Sequence, residues 1–316
     1  MAYSAEILAD SINELDQRLT TFEISLPRMV LSEFNTHRMF SRNSASSRAI
    51  PTVKQLKKVL DDPFIPIYWG RNQKGMEAHK ELTPEEAVIA EKEWLLSRDY
   101  AVLGAVALIG GTDQIDPDGN DPEATEKLKT RIFAIKETLG WKGEDVPATV
   151  HKQIANRILE PFMWHTIIVT ATDWDNFYAL RDSPQAQPEI QRSAAMMRAL
   201  HNTHEPTLLS NDEWHLPLVR EEERNEPMEL LKKLSVGRCT RVSYLTHDGI
   251  RDPKADIALH DQILGNGHMS PLEHVARPID AATQLSNGAY EGNFRGWHQY
   301  RKDIPGENNF GLLQNS

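Results

Sequence analysis

The chain has 316 residues, 40% hydrophobic and 26% charged, proportions of an ordinary soluble protein that exclude disordered, collagenous and membrane-embedded classes. Its 46 acidic against 35 basic residues give a formal charge of -11, which repels a phosphate backbone over most of the surface while leaving room for a local basic pocket. One cysteine, Cys239, excludes an internal disulfide framework, and neither a secretory leader at Met1–Asp10 nor a spanning apolar run of ~20 residues is found, so a cytoplasmic chain is expected.

After a short polar lead, Thr20–Leu26 carries the β-branched and aromatic residues of a strand. Pro27 then suits the first position of a helix, on which Val30, Phe34, His37, Arg38 and Ser41 share roughly one face, apolar at its start and polar at its end. Residues 51–146 predict a helical scaffold. Thr83, Pro84 and Glu86 form a capping-box start to a helix running to Gly110-Gly111, and Asp121-Pro122 opens another whose stripe Leu128, Ile132, Ile135 and Leu139 stops at Gly140. The Asp116–Asp121 loop has its glycine too early for a calcium loop and reads as a turn. A helix is expected from Pro147 through Leu159, a strand over Thr166–Thr170, a helix carrying Asn176 and Arg181 after Asp173 or Asp175, and another over Ala186–Asn202. Residues 205–235 are polar and acidic and suggest a connector, followed by a short strand at Arg241–Leu245 and a helix at Lys254–Leu264.

Three clusters carry the chemistry. His37-Arg38-x-x-Ser41-x-Asn43-x-x-Ser46-x-Arg48 packs two guanidinium groups, an imidazole, an amide and hydroxyls into twelve residues, donors suited to a phosphate and a flat heteroaromatic ring; a solvated helix exit is the plain alternative. Asn156-Arg157-x-Leu159-x-Pro161 leads to Asn176-x-x-x-Leu180-Arg181, arginines that also suit helix-end partners. Gly267-His268-x-Ser270-Pro271-x-Glu273-His274 lacks the His-Glu-x-x-His spacing of a zinc site, and His201-x-x-His204 reads as a surface pair, so no metal is expected. No Rossmann glycine pattern, phosphate-loop Gly-Lys-Ser/Thr or Gly-x-Ser-x-Gly elbow occurs.

Together the clusters resemble the flavin-dependent thymidylate synthases, whose signature is Arg-His-Arg-x-x-Ser-x-Asn-Glu-x-Ser-x-Arg-Tyr. Here the stretch runs from Thr36 to Ala49, with Ser44 at the family's Glu and Glu33 where a Gln usually stands upstream. Arg157–Pro161 is similar to the Ala-Arg-x-x-Leu-Pro region. Arg241-Val-Ser243-Tyr244 and 267–274 resemble elements that precede the signature in the family but follow it here, an order for which circular permutation is the simplest account.

The resemblance implies an α+β fold with a mixed sheet and packed helices, a single catalytic domain over 1–316 with its core at about 19–50, 147–204 and 236–302, and a helical insertion at about 51–146. It implies C5 methylation of deoxyuridylate with FAD as cofactor and NADPH and methylenetetrahydrofolate as co-substrates, in a homotetramer with sites shared between subunits. Glu33, Ser46, Arg48 and Arg157 would bind the nucleotide and Arg181 would both bind and activate it; His37, Arg38, Asn43, Asn176, Ser243 and His274 would bind the flavin. The Phe294–Lys302 tail is a candidate source of the missing guanidinium and amide. A buried Glu33 facing the base would favour cytosine. The alternatives are another C5 one-carbon modification, such as hydroxymethylation, of deoxyuridylate or deoxycytidylate for modified DNA, or a non-catalytic nucleotide-binding relative.

Overall fold

The computed structural model describes residues 3–75, 77–115, 121–242 and 252–309, and is a mixed α+β fold with a five-stranded sheet. In chain order the elements are β1 (Ser4–Ile12), β2 (Arg18–Pro27), α1 (Leu31–Asn35), β3 (Ser41–Ser44), α2 (Thr52–Asp61), α3 (Pro84–Leu108), α4 (Pro122–Leu139), α5 (Lys152–Ala155), β4 (Trp164–Ala171), α6 (Asp175–Arg181), α7 (Pro188–Thr203), β5 (Thr207–Leu208), α8 (Met228–Arg241), α9 (Pro253–Gly265), β6 (Ala276–Pro278), α10 (Ala281–Asn287), β7 (Tyr290–Glu291), β8 (Phe294–Arg295) and β9 (Trp297–Gln299). The main sheet has the order β3-β4-β2-β1-β5, antiparallel except for the β1/β5 edge.

Alternation along β2 and β4 sorts the two faces of the sheet. Phe22, Ile24, Leu26, Ile167, Val169 and Ala171 pack on Trp174, Phe177, Ile190, Ala194 and Met197 of the α6–α7 layer. Ile168 turns the other way, onto Cys239 and Val242 of the α8 region, and Thr21 and Thr170, paired in register, face each other through hydroxyls 2.7 Å apart. A separate apolar cluster joins α2, α3 and α4 to Leu159 and Phe162 of a 3-10 turn at Asn156–Phe162. Both expected caps are present: the Thr83/Glu86 capping box starts α3, and Asp121 starts α4, which ends at Gly140 in the left-handed region. Leu128 and Ile132 are buried, with Ile135 and Leu139 partly buried beside them.

Several expectations are corrected. The polar lead is strand β1, which sits between β2 and β5 and pairs along most of its length with β2. The helix after Pro27 does not reach Ser41: Pro27 ends β2, a 3-10 turn Arg28–Val30 leads into α1, and the helix closes at Asn35. Ser41 and Asn43 instead lie on β3, because the edge of β4 offers a ladder and both side chains gain hydrogen-bond partners there. The helix expected from Pro147 begins at Lys152 and tightens to 3-10 geometry through Phe162, with Pro161 inside it. The connector extends only to Pro227. α8 then runs to Arg241, so the expected strand fails at 241–242, while 243–245 lies outside the described residues. His201 is not a surface group but sits against Phe22, Trp174 and Tyr178.

Candidate active site

The 44–48 segment is placed by Asn156. Its fully buried amide donates to the carbonyls of Ser47 (2.6 Å) and Ile50 (3.0 Å), clamping the loop after β3 onto the 3-10 turn that carries Arg157. An open hollow of about 300 Å³ results, lined by Arg28, Ser44, Ser46, Arg48 and Arg157. Glu160 braces two of the arginines, 2.7 Å from Arg157 and 3.0 Å from Arg28, and Arg28 also donates to His165 Nδ1 at 2.9 Å. Burial, and then the Arg28 charge, push the His165 pKa down to about 3, so His165 is the neutral acceptor for that guanidinium. Three guanidiniums against one carboxylate leave a surplus of positive charge beside two serine hydroxyls, a donor set for a phosphate dianion. Sequence reasoning placed Ser46, Arg48 and Arg157 here. It missed Arg28 and Glu160, although Arg28 directly follows Pro27 and Glu160 stands within the Arg157–Pro161 motif.

Arg181, the last residue of α6, docks on the C-terminal end of α1. Its Nε donates to His37 Nε2 (3.1 Å), and its Nη2 to Thr36 Oγ1 (3.0 Å) and the Glu33 carbonyl (3.3 Å). His37 is buried, stacked on Phe40 and edge-on to Phe177, and burial together with Arg181 and Arg42 lowers its pKa to about 4. It is therefore neutral at physiological pH, with the proton on Nδ1 because Nε2 accepts from Arg181. Thr36, at the family's leading Arg, thus receives a guanidinium from α6. Leu31, Ser32 and Asn35 of α1 border a hollow shared with Arg28 and Arg157, whereas Glu33 and Thr36 hold Arg181. Arg181 is not among the residues that line the Arg48/Arg157 hollow and shares no hydrogen-bond partner with them.

Arg38 and Asn176 are exposed, each the neighbour of one partner in the His37–Phe177 ring contact. Asn43 is buried and donates to the Cys239 carbonyl at 2.7 Å. Cys239 itself is buried, and burial pushes its thiol up, leaving no ready thiolate. Glu33 is half-buried and its carboxylate accepts from Ser32 Oγ at 2.7 Å, so the buried acceptor that would favour cytosine is not there. His274 is fully buried with Nδ1 2.8 Å from Thr170 Oγ1 and Nε2 without a partner; it ends a polar chain that runs through Thr21 and His215 to Ser11. Ser243 lies outside the described residues.

The tail does meet the signature stretch. Glu273 accepts from Ser41 Oγ (2.7 Å) and Arg301 (2.6 Å), while Gln299 donates to Ser41 Oγ (3.2 Å) and Asn293 Oδ1 (2.9 Å). The chain matches the thymidylate synthase complementing proteins over residues 14–207, more than half its length. It belongs to that family. The membership carries a thymidylate-synthase-like function, and the matched range holds the signature, Arg157, Asn176 and Arg181 but stops before Glu273 and His274. No curated protein matches the chain. Among the described residues, no helix is long and apolar enough to cross a membrane.

Proposed function

We propose that this thymidylate synthase complementing protein methylates deoxyuridylate at C5 with a flavin, taking the carbon from methylenetetrahydrofolate and reducing equivalents from NADPH. The observation that carries the reading is the hollow in which Arg28, Arg48, Arg157 and Ser46 converge, in a chain of this family. Ser46 and the Arg48 and Arg157 guanidiniums hold the nucleotide phosphate by forked charge-assisted contacts, and Glu160 keeps Arg157 and Arg28 oriented. Arg181 binds the pyrimidine and stabilises negative charge as it develops on the ring. Because Arg181 is not among the residues lining the phosphate hollow of its own chain, we infer that a homo-oligomer, a tetramer by family resemblance, brings Arg181 of one subunit to the nucleotide held by another. Glu33, whose backbone carbonyl holds Arg181, would contact the base beside it.

Arg38 and Asn176 fit a flavin as an exposed cation and an exposed amide, and the buried His37, packed on Phe177, holds the two segments that carry them together. Asn43 and His274 serve it from behind, Asn43 by fixing β3 to α8 and His274 by supporting β4 through Thr170. The flavin, when bound, supplies the redox and carbon-relay chemistry, which suits a chain whose lone cysteine is buried and protonated. Anaerobic incubation with NADPH, methylenetetrahydrofolate and either deoxyuridylate or deoxycytidylate, with product masses read out, tests the reading. A methylated deoxyuridylate supports it; a hydroxymethylated product, turnover of deoxycytidylate alone, or a protein that cannot be reconstituted with FAD overturns it.

A further inference from the structure

A second cavity, of about 350 Å³, lies on the other side of the 45–47 segment from the arginine hollow, between α2 and the start of β4. Ala45 and Ser47 line both spaces. Its floor is apolar, formed by Val59, Phe162 and Met163. Two donors among its lining residues, Gln55 Nε2 and Trp164 Nε1, are buried without a hydrogen-bond partner. An unmet buried donor is destabilising, and a bound acceptor removes that cost. At the rim stand Lys54, Lys57 and Lys58 with Asp61 and Asp62; Asp61 is already engaged by Lys57 (2.5 Å) and by Arg131 (2.9 Å). The volume falls in the range of small-molecule sites, which combine apolar walls with a few placed polar groups.

We propose that this cavity is a binding site for a small flat aromatic anion, its ring against Phe162 and Met163, an acceptor at Gln55 and Trp164, and its charge at Lys54. The site is separate from the nucleotide hollow and stands whether or not the hollow binds a nucleotide.

The test uses 8-anilinonaphthalene-1-sulfonate as the anionic aromatic probe and neutral N-phenyl-1-naphthylamine as its control, each titrated by fluorescence into the folded full-length protein. The expected result is one sulfonate bound per chain, tighter than the neutral amine. Lys54→Glu should weaken the sulfonate roughly tenfold, on the scale of a lost charge-assisted contact, and leave the amine nearly unchanged. Gln55→Leu, which removes an unpartnered amide at similar volume, should keep or raise the melting temperature while weakening the sulfonate. Equal binding of both probes, sulfonate binding indifferent to Lys54→Glu and Gln55→Leu, or loss on Arg48→Ala instead, which would put the probe in the arginine hollow, each overturns the proposal.

Discussion

Ser41 and Glu273, 232 residues apart in sequence, share a hydrogen bond of 2.7 Å. The bond joins the edge strand of the signature stretch to the Ser-Pro-x-Glu-His element, and Arg301 completes it with a 2.6 Å contact on the other carboxylate oxygen. Two motifs from opposite ends of the chain thus form one assembly around Ser41.

If Arg48 grips the phosphate, Arg48→Ala costs about 1.5–3 kcal/mol of nucleotide binding, the worth of a hydrogen bond to a charged group. Arg48→Lys restores only part of it because an ammonium has no fork. Calorimetric titration with deoxyuridylate measures both, and unchanged affinity in Arg48→Ala would make this stretch a solvated loop.

Arg181→Ala separates binding from chemistry. A guanidinium that strengthens its contact as charge develops lowers turnover about 100–1,000-fold when removed, more than it weakens substrate affinity. Flavin reduction by NADPH survives better than carbon transfer. Stopped-flow measurement of the two half-reactions checks this, and equal slowing of both would assign Arg181 another role.

Asn156 supplies a link from packing to binding. Asn156→Ala leaves the Ser47 and Ile50 carbonyls without their buried donor, at a cost of about 2–3 kcal/mol in urea unfolding. Nucleotide affinity falls with it, since the 44–48 segment loses its clamp. A variant with full affinity despite that destabilisation would show that the segment is held by other contacts.

Stability falls on acidification. Burial lowers the pKa of His165, His215 and His274 to about 3, with Arg28 adding to the effect at His165 and His215 at His274, while in the unfolded chain each titrates near 6.5. The unfolded state therefore binds more protons between those values. The stabilisation is complete above about pH 6.5 and is lost as the pH drops toward 3. His215→Asn, which breaks the contacts to Ser11 and Thr21, is expected to be less stable at neutral pH and to lose less on going to pH 5. Denaturation midpoints at pH 7.5 and 5 decide the matter.

The parts of the fold legible in the sequence were those with local causes. The caps of α3 and α4 are written in Thr83, Glu86, Asp121 and Gly140, and the β-branched runs of β2 and β4 in their composition. β1 escaped because its burial comes from two neighbouring strands, not from its own pattern. β3 escaped because Ser41 keeps helical spacing from Val30, and only distant Glu273 and Cys239 draw Ser41 and Asn43 into a strand. α8 escaped because it buries Lys232, Ser235, Arg238 and Thr240, with Arg238 satisfied by Glu223 and Asp256. In the site, Ser46, Arg48 and Arg157 were readable as a motif. Arg28 was not, because only the approach of Glu160 and His165 from another segment sets it in the hollow.

The β1–β2 turn is also tied to the far end of the chain. Asn13 donates to the Gly296 carbonyl, Trp297 donates to the Gln17 carbonyl, and a Cβ at Gly296 would lie 1.7 Å from Gln17 Oε1. These contacts span nearly the whole sequence, and contacts of such high order form late and slow folding. During synthesis the sheet can assemble first, but Leu19, Leu209 and Ala276 wait uncovered until Phe294 and Trp297 have left the ribosome and closed over them. A chain that stalls or is cut before Phe294 therefore carries an open apolar patch, the kind of surface that chaperones hold and proteases clear.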